Sequence, residues 1–157
     1  MAAPDIDTIY QFESAIESAA ESILDNAASI TSHKQRDSGT LATPFAFCQL
    51  SGVQGIGKQY KTGTNAFNWP IDFNATLNVT VTTNRQENAA SHATYLGKVR
   101  RHLYTLTNWT TQRLPYHSIA LVQESGSSPQ YVEDERFDQT TLSFRIIFVI
   151  RDDAWPS

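Results

Sequence analysis

A single cysteine in 157 residues means that no internal disulfide can staple this chain. Cys48 lies in the short apolar run FAFCQL, where a buried thiol behaves as a small hydrophobe. No His or Asn pattern accompanies it to make a nucleophile. Long apolar runs are missing as well. The longest, residues 146–150, is far too short to cross a bilayer, so no membrane span is expected. The opening MAAPDIDTIY has no basic segment leading into an apolar one, and no signal peptide is read there. Basic excess is absent: 12 Lys and Arg against 16 Asp and Glu leave a net charge of −4, which argues against a nonspecific grip on phosphates. Neither repeat nor linker is visible. Residues 1–157 read as one domain, long enough to bury a core.

What the chain does contain is alternation. In residues 140–151, TTLSFRIIFVIR, Leu142, Phe144, Ile146, Phe148 and Ile150 take every second position, the pattern of a strand with one buried face. Its other face starts polar and turns apolar at Ile147 and Val149, so its second half should be covered. At about 3.3 Å per residue these twelve residues span roughly 40 Å, long for a small sheet. Residues 73–83 repeat the pattern, with Phe73, Ala75, Leu77, Val79 and Val81 alternating with uncharged Asn and Thr. Shorter strands are expected at 45–50 and about 116–124, and a turn at 125–129.

Two helices complete the reading. Asp5 is placed to cap the first, in which Ile9, Phe12, Ile16, Ala19, Ile23 and Ala27 form one apolar stripe. The second is expected to start near Asn88 and stop near Asn108, with His92, Leu96, Val99, Leu103 and Leu106 on its apolar side. Between them, residues 31–43 read as a polar loop, and residues 51–70 as a Gly-rich arm closed by Phe67 and Trp69.

Motifs that carry chemistry are weak. Gly52 to Gln59 reads GVQGIGKQ, the phosphate-loop pattern as far as Lys58, but Gln59 stands where a magnesium-binding hydroxyl is needed and no helical periodicity follows. His33, His92, His102 and His117 lack metal-ligand spacing, and no cofactor is expected. Glu133, Asp134 and Glu135 read as a solvated acidic run, with nothing apolar beside them to raise a pKa. Lys98, Arg100 and Arg101 form a basic cluster whose ordinary fate is salt bridging. Glu13, Glu17, Glu21 and Asp25 line up at four-residue steps. Like charges so spaced repel by a few tenths of a kcal/mol, about 0.2–0.5 per pair, so helix stability does not account for them.

The element order is helix, short strand, arm, strand, helix, strand, long strand. It predicts an α+β fold: an antiparallel β-sheet of about four strands with two helices packed on one face. That order, with a leading acidic helix and a long last strand ending RDDAWPS, resembles tail terminator and related neck or tail-completion proteins of tailed bacteriophages. The resemblance implies a virion protein without catalytic residues, assembled in the host cytoplasm as a ring, commonly a hexamer. Such a ring caps the tail tube and joins it to a head-completion or stopper protein, and DNA passes through its lumen without specific binding. A tube subunit, a head-tail stopper and a small ligand-binding or enzymatic domain are the alternatives.

A closed ring needs two complementary patches per subunit. Candidates for subunit or partner contact are the acidic row Glu13, Glu17 and Glu21; the basic residues Lys98, Arg100 and Arg101; Lys58, Lys61, Phe67 and Trp69 of the arm; Arg145, Ile147 and Val149; and Trp155. Glu133, Asp134 and Glu135 are candidates for the lumen.

Overall fold

A computed structural model describes residues 9–28, 30–34, 43–56, 72–111 and 117–150 of the chain. The fold is α+β. Helix α1 (Ile9–Ile23) runs into a π-helical turn (Leu24–Ala28), followed by β1 (Thr31–Lys34) and β2 (Phe45–Ile56). Then come β3 (Asp72–Asn84), α2 (His92–Tyr104), α3 (Leu106–Thr110), β4 (His117–Gln130) and β5 (Phe137–Ile150). The sheet order is β1-β2-β3-β5-β4. β2, β3, β5 and β4 are antiparallel neighbours, and β1 joins the edge parallel to β2.

The alternating residues sort as the two-residue period requires. Phe73, Ala75, Leu77, Val79 and Val81 of β3 are buried together with Leu142, Phe144, Ile146 and Phe148 of β5. In register Phe73 faces Phe148, their rings stacked at 5.6 Å, and Leu77 faces Phe144. Against this face lie Ile16, Ala19, Ala20 and Ile23 of α1 with Tyr95, Val99 and Leu103 of α2. Each fully buried aliphatic or aromatic side chain contributes about 1.5–3 kcal/mol. One layer of helices on one sheet face therefore accounts for the core.

Four departures from the sequence reading have local causes. Residues 31–34, expected as loop, form β1, because Thr31 to Lys34 pair with Phe45 to Cys48 although they carry no alternation of their own. β2 continues to Ile56, six residues past the expected end, through a bulge between Ser51 and Gln54 where Gly52 takes φ +64°. The arm's first residues are thus strand, and the pair Ile56↔Asp72 holds its two ends side by side.

The expected turn at 125–129 is also strand. Ser127, Ser128 and Pro129 pair with Leu142, Thr141 and Thr140, beyond a second bulge between Glu124 and Gly126. Proline is tolerated there because β4 is an edge strand. The chain reverses instead between Gln130 and Phe137.

The second helix starts later than expected and breaks in two. Asn88 is held in the preceding turn: its Oδ1 accepts from Asn84 N–H at 2.7 Å, and its Nδ2 donates to Thr43 O at 3.0 Å. Ser91 is the N-cap, accepting from Thr94 N–H at 3.2 Å. At the other end Thr105 leaves the helical region (φ −80°, ψ 101°). Three carbonyls of the last turn then take side-chain donors: Arg101 O from Thr105 Oγ1, His102 O from Asn108 Nδ2, and Leu103 O from Trp109 Nε1. Trp109 is buried where Leu106 was expected to be, and Leu106 is exposed.

Candidate assembly surfaces and a cleft at the sheet end

With the helices on one side, the other sheet face carries short uncharged side chains bonded across strands. Thr80 and Thr141 hydroxyls meet at 2.9 Å, Gln139 Nε2 donates to Thr82 Oγ1 at 3.0 Å, and Ser143 Oγ donates to Asn78 Oδ1 at 2.8 Å. Arg145 is exposed in register with Thr76 and Gln123. Ile147 is half-buried opposite Leu121, a large apolar side chain that is 40 % exposed. Of the expected cluster there, Arg145 and Ile147 lie on one face. The side chain of Val149 is outside the described residues.

On α2 the basic residues separate. Arg100 is committed to Glu124 of β4 by two bonds, Nε to Oε2 at 2.8 Å and Nη2 to Oε1 at 3.0 Å. The same strand residue donates its N–H to the Tyr104 hydroxyl. Lys98 and Arg101 stay exposed, and Lys98 Nζ lies 5.3 Å from the centre of its own Tyr95 ring.

The acidic row that begins on α1 touches the sheet at Glu17, and its last member, Asp25, is exposed. Glu13, Glu17 and Glu21 are half-buried, and Glu17 Oε1 accepts from Leu50 N–H at 3.0 Å. Cys48 lies fully buried on β2; desolvation, then the charges of Glu21, Glu17 and Asp25, push its thiol far above the ordinary range. A thiol so placed is not ionised at neutral pH. Lys58, Lys61, Phe67, Trp69 and Trp155 lie outside the described residues. So does the part of the GVQGIGKQ motif after Ile56, with residues 60–65 where a phosphate-loop helix would have to follow; Gly52 to Ile56 belong to β2.

The sequence reading did not anticipate a cleft of about 710 Å³ where β3 ends, α2 begins and the β4–β5 hairpin reverses. His92 forms part of its wall, with Nδ1 2.9 Å from Thr83 Oγ1 and Nε2 2.8 Å from Thr140 Oγ1. Burial lowers the His92 pKa, the Arg85 charge lowers it further, and Asp138 opposes both. Arg85 grips Asp138 with two bonds, Nε to Oδ2 at 2.9 Å and Nη2 to Oδ1 at 2.7 Å, and holds that carboxyl below the usual range. Arg85 N–H also donates to Arg136 O at 2.7 Å, tying the hairpin to the end of β3. Within the hairpin Asp134 pairs with Arg136, whose hydrogen bonds lower the acid's pKa. Glu133 and Glu135 are exposed, and Tyr131 at the rim is 89 % exposed.

Arg85, His92, Tyr131 and Asp138 come from four separate segments, so no spacing rule could assemble them. The one legible signal was local: Asn84 followed by Arg85 and Gln86 marks a turn that throws a cation off a strand end.

The described residues hold no group of three or more His, Cys, Asp or Glu able to bind a metal ion. Nor does any described helix have the length and apolarity to cross a membrane. Compared with family models and with curated proteins, the chain finds no match.

Proposed function

We propose that this chain is a structural virion component of a tailed bacteriophage, akin to the tail terminators: a subunit that closes into a ring on the tail tube and joins it to head-completion proteins. The observation that carries the reading is the one-sided layering. All described helices that meet the sheet cover its apolar face, leaving a broad face of Thr, Asn, Gln and Ser beside Arg145, Ile147 and Leu121. A sheet face that no described helix covers, beside an edge strand with Leu121 exposed, is surface a small domain can give to neighbours. Its partners on this reading are further copies of itself, the tube protein and a stopper or head-completion protein, with DNA passing through the ring unbound.

Tail-tube subunits polymerised with the labelled chain test this. The label is expected at one end of tubes whose growth has stopped. Label along the whole tube, or long tubes formed by the chain alone, would make it a tube subunit instead.

A second reading rests on the cleft. An exposed tyrosine, an ion pair and a half-buried histidine around about 710 Å³ could serve a small polar ligand. Saturable binding of a small molecule, lost in Tyr131→Ala, would favour it.

A further inference from the structure

The charges left over on the two exposed patches balance. In the β4–β5 hairpin Asp134 is spent on Arg136 and Asp138 on Arg85, while Glu133 and Glu135 make no ion pair with any described residue. On α2 Arg100 is spent on Glu124, while Lys98 and Arg101 make none. Two anions beside an exposed tyrosine therefore stand on one surface, and two cations on another.

Within one chain these sets do not meet. α2 leaves the cleft at His92, and Lys98 and Arg101 follow six and nine residues later, about 9 and 14 Å along the axis. The Lys98 ammonium rests on its own Tyr95 ring. An opposite surface on another molecule can use exposed like charges of this kind to steer approach and fix register.

We propose that the cleft rim at Tyr131 and Glu135, together with the exposed Glu133 of the same hairpin, receives Lys98 and Arg101 of a second copy of this chain, in a head-to-tail contact that repeats around the ring. This rests on the ring reading above and deepens it. It gives the hairpin acids to a subunit contact rather than to a lumen, and takes the contact away from α1, whose Glu17 is engaged with β2. The two patches differ and lie on different parts of the molecule, as a heterologous contact that closes a ring requires. The open Tyr131 face offers a cation a second attraction besides the carboxylates.

Charge reversal in both directions tests it. Sedimentation velocity would compare the natural chain with Glu133→Lys/Glu135→Lys and with Lys98→Glu/Arg101→Glu, at low and high salt. Each reversed chain is expected to dissociate at least about tenfold more readily, while an equimolar mixture of the two reassembles, because each then meets its opposite. Association of the natural chain should weaken as salt rises. The milder Glu135→Gln and Lys98→Met should weaken it in the same direction, and circular dichroism would verify folding of every variant. Undiminished assembly of both reversed chains would overturn this contact and leave the ring reading intact. A natural chain that stays monomeric at every concentration would overturn both.

Discussion

Glu17 of α1 accepts the backbone N–H of Leu50 on β2 at 3.0 Å, across 33 residues of sequence. The bond lies just before the bulge that begins at Ser51, where the regular ladder between β2 and β3 is interrupted. A carboxylate that satisfies a strand N–H is a fastener between layers. Glu17→Ala should therefore cost about 1–3 kcal/mol by leaving that donor unmet, whereas Glu17→Gln, which can still accept, should cost less. Urea denaturation of both variants measures this. Equal stability of Ala and Gln variants with the natural chain would mean the bond contributes nothing.

Two steps should be present in the acid dependence of stability. The His92 pKa lies below its ordinary value of 6.5, so the unfolded chain binds the proton more readily than the folded one. Its contribution is complete above pH 6.5 and falls away as pH drops from there towards the lowered folded pKa. Asp138 and Asp134 lie below their ordinary value of 3.8, so their contributions are full above it and are lost as pH falls through the folded values. Melting temperatures recorded from about pH 8 to about pH 2 should show both declines, and His92→Gln should abolish the upper one alone. Persistence of the upper step in that variant would assign it to another group.

Cys48 should be chemically silent in the folded chain. It is fully buried, and its thiol is held protonated by its surroundings. A disulfide reagent at pH 8 is expected to titrate no thiol quickly in the native protein and one in denaturant, at a native rate set by opening of the α1–β2 layer. Fast labelling under native conditions would show that the layer opens readily.

Trp109 should matter twice. Its ring is buried, and its Nε1 donates to Leu103 O at 2.8 Å where α2 ends. Trp109→Phe removes the bond and a smaller part of the ring volume than Ala does, and should cost about 1–3 kcal/mol. Trp109→Ala adds a cavity and should cost about 3–5 kcal/mol. A difference of less than about 1 kcal/mol between the two would mean that the surrounding core collapses into the space.

What could be read from the sequence was what is repeated along it. The two alternating segments became β3 and β5, in register over thirteen residue pairs, and Ile16, Ala19 and Ile23 of the α1 stripe packed as their spacing requires. Features decided by a neighbouring element were hidden. Thr31 to Lys34 form a strand because β2 lies alongside, and Ser127 to Pro129 do so because β5 does. Trp109 displaced Leu106 from the core because Thr105 breaks the helix and turns the following residues by a different amount. The cleft was beyond reach for the same reason, since its walls are gathered by topology and not by proximity in the chain. Charges behaved likewise. Nothing in the spacing of Lys98, Arg100 and Arg101 told which would find an intramolecular carboxylate, until β4 brought Glu124 beside Arg100.

The native mass of the chain tests most directly its proposed assembly into a closed ring. Light scattering of the purified protein at physiological salt, with negative-stain images of the same sample, is predicted to give one multiple of the 17.5 kDa chain and discrete annular particles. A mass of one chain at all concentrations, or filaments of unlimited length, would contradict it.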